Sequence, residues 1–233
     1  MTPQTNDKYL GIEIECIIPS FVEKSEVLNY LRAKFSEHGL SRYVNVGTDV
    51  SVSGDIVCGN PYCVEYNDCI CGTQHVGVEL RVLVKETELT QVMPRVCGVL
   101  KKVKAYVNKS CGLHVHLDMR NRDVVECAKR LYKEQDLLLG MVPESRKKNK
   151  YCQKITRHQL IKGIIEPALV SRYKVINPTS YHRLRTLEVR VHEGTVKSSD
   201  IIKWCKLLVS IADNKVITKR EVEYVYSRIK KYA

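Results

Sequence analysis

Five short stretches of the chain alternate, residue by residue, between an apolar side chain and a polar one. In Gly11-Ile12-Glu13-Ile14-Glu15-Cys16 the carboxylates take the odd positions and the aliphatic groups the even ones. In Leu113-His114-Val115-His116-Leu117-Asp118 two imidazoles and a carboxylate share one parity. Val78-Glu79-Leu80-Arg81-Val82 and Leu187-Glu188-Val189-Arg190-Val191-His192 repeat the pattern, and Asp49-Val50-Ser51-Val52-Ser53 repeats it with small acceptors. A period of two belongs to an extended strand, whose side chains point alternately to opposite faces. The pattern demands a sheet with one apolar and one polar face. It predicts a common face for Glu13 and Glu15, for Glu79 and Arg81, for His114, His116 and Asp118, and for Glu188, Arg190 and His192.

Between these segments the period changes. Leu89, Val92, Val96, Val99, Leu100 and Val103 recur at helical spacing, which predicts a helix over about 88–107, bent or restarted at Pro94. Capping-box patterns at Ser20–Glu23 and Thr218–Glu221 open further helices, the first stopping at Gly39. Others are expected over 123–140, near 158–165 and from 198 onward. Short strands are expected at 43–46, 49–53 and 172–176. The run Arg146-Lys147-Lys148-Asn149-Lys150 reads as an exposed loop. Strands and helices mix without strict alternation, so the fold class is α+β with a mainly antiparallel sheet, not a doubly wound parallel one. With 233 residues and no repeat or low-complexity linker, one domain over 1–233 is expected.

A solvated sheet face gives the same alternation without any function. Such faces, however, usually carry Thr, Lys and Ser. Here they carry Glu, His, Asp and Arg. Clustered carboxylates repel one another unless a cation sits among them. Oxygen ligands with an occasional imidazole suit Mg²⁺ or Mn²⁺, and an arginine fork suits phosphate.

At these residues the sequence resembles the amidoligases of the glutamine synthetase and glutamate–cysteine ligase superfamily. The resemblance is carried by Gly11-Ile12-Glu13-Ile14-Glu15, Asp49-Val50-Ser51-Val52, Gly77-Val78-Glu79-Leu80, Cys111–His116, Asn177, and Thr186–Arg190 followed by Gly194-Thr195, in order over about 11–204. It implies a sheet curved around a site that ATP enters from one end, with helices on one side. It implies Glu13, Glu79, Glu188 and His114 or His116 as Mg²⁺ ligands, and Arg190 as a contact to the transferring phosphoryl group. Glu15 or Asp49 is the candidate base for the incoming ammonium. Arg81, Asn177, Arg172 and Arg185 are candidates for ATP or substrate contacts. The implied reaction joins a carboxylate to an amine through an acyl phosphate, the acid extending to a peptide or protein.

Two further readings stand beside it. Histidines 114 and 116 suit a metal-dependent hydrolase, although no third histidine stands at motif spacing. The excess of 38 Lys plus Arg over 26 Asp plus Glu suits a protein that binds nucleic acid or an acidic partner. No nucleic-acid-binding motif supports the nucleic-acid version. Cys58, Cys63, Cys69 and Cys71, in a Cys-rich loop at about 54–75, would make a structural Zn²⁺ site or else remain reduced thiols. No apolar run reaches the roughly 18 residues of a membrane helix. The N-terminus lacks the features of a signal peptide, so the expected compartment is the cytoplasm.

Overall fold

The computed structural model describes residues 7–20, 24–48, 52 and 74–232. The Asp49 strand, the first capping box and the four-cysteine cluster lie outside the described residues, wholly or in part.

The elements run β1 (Tyr9–Ser20), α1 (Lys24–Glu37), β2 (Val44–Thr48), β3 (Gln74–Lys85), α2 (Leu89–Lys102), β4 (Gly112–Asp118), α3 (Val124–Lys133) and α4 (Gln135–Gly140). There follow α5 (Glu144–Lys147), α6 (Arg157–Ile165), β5 (Ile176–Asn177), α7 (Ser180–Leu184), β6 (Thr186–Glu193), α8 (Ser198–Ala212) and α9 (Lys219–Tyr232). The strands form one six-stranded sheet in the order β2-β3-β1-β4-β6-β5, antiparallel at every pairing. The fold is therefore α+β, as the alternation requires.

The parity rule sorts the two faces. Ile12 and Ile14 of β1, Leu80 of β3 and Val115 of β4 are fully buried. They join Val96 of α2 and Trp204 and Leu208 of α8 in one hydrophobic cluster. Burying an aliphatic side chain of this size contributes about 1.5–3 kcal/mol relative to exposure, so this face fixes the register. The opposite residues, Glu13, Glu15, Glu79, His114, His116 and Glu188, are then forced onto the other face together. A small satellite cluster of Ile17, Val52 and Cys111 lies at one end of that polar face.

Several boundaries differ from the sequence reading. Pro94 sits inside α2 without breaking it. The helix stops at Lys102 instead of about 107, because Lys104 takes a left-handed conformation (φ 57°) and Ala105 N–H bonds back to the Leu100 carbonyl. The predicted 123–140 helix starts on an Asp123 cap, as its sequence suggests, and is interrupted at Glu134. The predicted strand at 172–176 reduces to Ile176–Asn177. Arg146 is not in an exposed loop: it stands in the single turn of α5 and is 3% exposed.

One correction concerns the site itself. His192 does not share a face with Glu188 and Arg190. Between β4 and β6 the register runs Val115↔Val189 and then Leu113↔His192, so three steps on β6 oppose two on β4. This β-bulge switches the parity of the strand. His192 turns into the core, where its ring centroid lies 4.8 Å from that of Trp204.

Candidate active site

Three adjacent strands each bring one ligand-type group to the same point of the polar face. In the β1–β4 register Glu13 stands opposite His114, and Gly11 opposite His116. In the β4–β6 register His116 stands opposite Glu188. The outcome is a cluster in which ligand atoms of Glu13, His116 and Glu188 all lie within 4.8 Å of one another. His116 Nε2 is 3.3 Å from Glu13 Oε1 and 3.8 Å from Glu188 Oε1. It is buried without a hydrogen-bond partner of good geometry, which is rare for a native polar atom and fits a nitrogen placed to ligate a cation. The other ring nitrogen, Nδ1, lies 3.0 Å from Thr186 Oγ1, which fixes the orientation of the ring.

Glu188 is held from two sides. Asn177 Nδ2 donates to its Oε2 at 2.6 Å, while Arg190 Nη1 pairs with its Oε1. Asn177 is itself fixed, since its Oδ1 accepts from the N–H and hydroxyl of Thr179 at 3.0 and 2.7 Å. Two carboxylates and an imidazole in this arrangement make an oxygen-rich donor set that fits Mg²⁺ or Mn²⁺.

The electrostatics prepare the two carboxylates for a cation, while favouring a protonated His116 whose proton a bound cation would have to displace. Burial works to raise the Glu13 carboxyl, but the imidazoles of His114 and His116 outweigh it and hold the group far below the usual carboxylate range. Glu188 is lowered against its own burial by His116, Arg190 and His114. Burial works to lower the His116 imidazole, and Glu13 and Glu188 raise it. Both acids are therefore ionised at neutral pH, the state a cation needs.

The other sequence-derived candidates divide into three sets. Further along the strands, Glu15 accepts from the Gly112 N–H at 2.5 Å and lies 3.7 Å from His114 Nε2. His114 thus bridges Glu13 and Glu15. Glu79 stands opposite Glu15 and pairs with Arg81. In the second set, Arg81 and Arg185 line a cavity of about 630 Å³ that opens beside Glu13 and His116, with Arg42, Arg120 and Arg183 also on its walls. Arg185 holds a left-handed backbone (φ 56°) there and stacks 5.1 Å from the Tyr181 ring, a conformation that costs a non-glycine residue about 1 kcal/mol or more. The third set is apart from this mouth: Arg172 stacks on Tyr173, whose ring also lies 5.9 Å from the Arg190 guanidinium.

Two contributors escaped the sequence reading. Thr186 enters the sequence reading only as the first residue of the Thr186–Arg190 motif, with no role of its own. Arg146 was grouped with its lysine neighbours, although an arginine among lysines is a signal in its own right, because only arginine offers a rigid fork of donors.

Residues 74–169 match the model of a family described as "putative amidoligase enzyme". The matched stretch runs from β3 past α6 and carries Glu79, Arg81, His114, His116 and Arg146. Glu13, Glu15, Asn177, Glu188 and Arg190 lie outside it. Among curated proteins, none matched the chain. The family match suggests an amide-bond-forming ligase. No helix of the described residues is long and apolar enough to cross a membrane.

Proposed function

We propose that this protein is an ATP-dependent carboxylate–amine ligase, requiring Mg²⁺ or Mn²⁺ and forming its amide through an acyl phosphate. The observation that carries this reading is the adjacency of two unlike features. A cluster of two carboxylates and an imidazole, with an unpartnered buried nitrogen, lies at the edge of a cavity walled by five arginines. The first suits a divalent cation and the second a polyphosphate.

In the first step a substrate carboxylate oxygen attacks the γ-phosphorus of ATP, and the bond to the β–γ bridging oxygen breaks to release ADP. In the second an amine nitrogen attacks the acyl carbon, a proton leaves the nitrogen, and inorganic phosphate departs. Glu13, His116 and Glu188 would hold the cation, with Glu79 and His114 as further candidate ligands. When bound, the cation neutralises charge on the phosphate oxygens. The cavity arginines orient the polyphosphate. Arg190, already anchored on Glu188, directs its remaining donors at the transferring group, where one well-placed donor is worth about 3 kcal/mol. Glu15, held by the Gly112 N–H, is the candidate acceptor of the amine proton. Asp49, the other candidate, is outside the described residues. Acidic peptides or proteins remain among the acids to try, given the basic balance of the chain.

The test is phosphate release from MgATP, driven by a panel of acid and amine pairs, in the wild type and in Glu13→Gln and Glu188→Gln. Both variants should lose turnover by 10³-fold or so while melting within a few degrees of the wild type. Wild-type turnover in both would sink the assignment.

A further inference from the structure

Arg146 is a buried cation that forms no ion pair among the described residues. Its guanidinium is spent instead on two backbone carbonyls: Nη2 donates to Arg190 O at 2.6 Å and Nε to Val191 O at 3.3 Å. These carbonyls belong to the stretch of β6 where two residues, Arg190 and Val191, oppose one on β4, His114. A bulge leaves backbone groups without their ladder partners, and buried carbonyls need donors from elsewhere. The Arg190 N–H is satisfied separately, by the Val175 carbonyl at 2.9 Å. Arg146 thus completes the hydrogen bonding of the bulge and holds the backbone of Arg190, the first residue of the bulged stretch. Beyond it His192 faces the core, whereas Arg190, two residues from Glu188, shares that residue's face by simple alternation and is held through its own carbonyl by Arg146. A one-residue slip would exchange the two faces of the strand.

We infer that Arg146 is a positioning residue, which by holding the carbonyls of Arg190 and Val191 fixes the backbone from which Arg190 reaches Glu188 and the group being transferred; the last part rests on the ligase reading given above. The guanidinium also defines how close the segment can come. Nη2 lies 3.1 Å from where a Cβ on Gly112 would stand, beside His114 Nε2 and Glu15 Oε2. The absence of a side chain at Gly112 thus leaves room for the Arg146 guanidinium beside the polar face. A lysine there would keep the charge but could not reach two carbonyls through a rigid fork.

Two measurements test this on the full-length protein. The first needs no turnover: in ¹⁵N-labelled protein, the Arg190 Nε–H resonance, identified by its loss in Arg190→Lys, should shift to a solvent-exchanging position in Arg146→Gln. An unchanged resonance overturns the inference. The second is a double-mutant cycle in MgATP-dependent phosphate release. Arg146→Gln should slow turnover by about 10²-fold, as a misplacement near 1 Å does, with the KM for ATP nearly unchanged. In an Arg190→Gln background the same change should cost less than 3-fold or so. Additive losses, or full rescue by Arg146→Lys, would show that Arg146 acts through its charge and not through Arg190, and would overturn the assignment. If the wild type shows no turnover, the ligase reading fails alone, and the resonance still decides the positioning role. If Arg146→Gln and Arg146→Lys both fail to fold, Arg146 is a folding element and the inference is wrong.

Discussion

Gly112 sits where three polar groups converge. A Cβ there would meet His114 Nε2 at 2.9 Å, Arg146 Nη2 at 3.1 Å and Glu15 Oε2 at 3.2 Å. Gly112→Ala should therefore lower stability by about 1–3 kcal/mol through overpacking and displace the Glu15 carboxylate from its N–H donor. Gly98, in α2 with open space around it, is the control: Gly98→Ala should raise stability by about 0.5–1 kcal/mol. Paired urea titrations of the two variants read both signs. At Asn177 the outcome concerns binding. Removing the 2.6 Å donor to Glu188 in Asn177→Ala should weaken Mn²⁺ binding by about 10–100-fold, measured by calorimetric or spin-resonance titration; unchanged affinity would remove Asn177 from the site. Glu13 and His116 were legible in the sequence because period-two alternation is a local property, visible within six residues. Arg146 was not, because its burial is decided by a strand 44 positions further on, at Arg190.

At the scale of elements, β6 and α9 are fastened by a cluster next to the bulge. Arg228 pairs with Glu193, Tyr232 donates to Glu193 Oε1 at 2.7 Å, and Arg228 Nε reaches the Met141 carbonyl at 2.9 Å. His192, 0% exposed, lies beneath it. Burial pushes this imidazole down to about 4 from its ordinary 6.5. Burial works to raise the Glu193 carboxyl, but His192 and the Arg228 and Tyr232 contacts bring it to about 2 from an ordinary 4.5. In both cases the unfolded chain binds the proton first. Stability should therefore fall as pH drops from 6.5 toward 4 on account of His192, by at most about 3 kcal/mol. It should fall again from 4.5 toward 2 as the Glu193 contribution is lost. Urea unfolding at pH 7, 5.5 and 4.5 checks the first limb, which should be absent in His192→Gln. The four long strands were readable to within a few residues, because their faces differ so sharply. The bulge was not, since an extra residue on one strand is defined only against its partner. For that reason the parity argument misplaced His192 while placing Glu188 and Arg190 correctly. The α2 stop at Lys102 was equally invisible: nothing in the identity of Lys104 signals a left-handed residue.

For the molecule as a whole, a buried charge network ties the start of β1 to the end of α8. Asp213 accepts from Arg122 Nε at 2.6 Å and from Lys8 and Lys215 at 3.0 Å, and Arg122 also pairs with Glu86 at 2.5 Å. Asp213→Asn leaves Arg122 with Glu86 as its remaining acid and should cost about 1–3 kcal/mol, read as a lowered denaturant midpoint at constant slope. The α+β class and the clustering of acids and imidazoles on one sheet face followed from the sequence. The strand order did not, because pairing between distant segments leaves no local trace.

That order carries a consequence for how the protein would fail. Glu13 and His116 stand on β1 and β4, the central pair of the sheet, whereas Asn177 hangs on a two-residue strand at the sheet's margin. Gentle denaturation should peel the margin first, and its amides should exchange with deuterium long before those of the central pair. Such half-frayed molecules would still grip an ion between β1 and β4 yet leave Glu188 free to swing, so capacity to bind would outlast capacity to turn over.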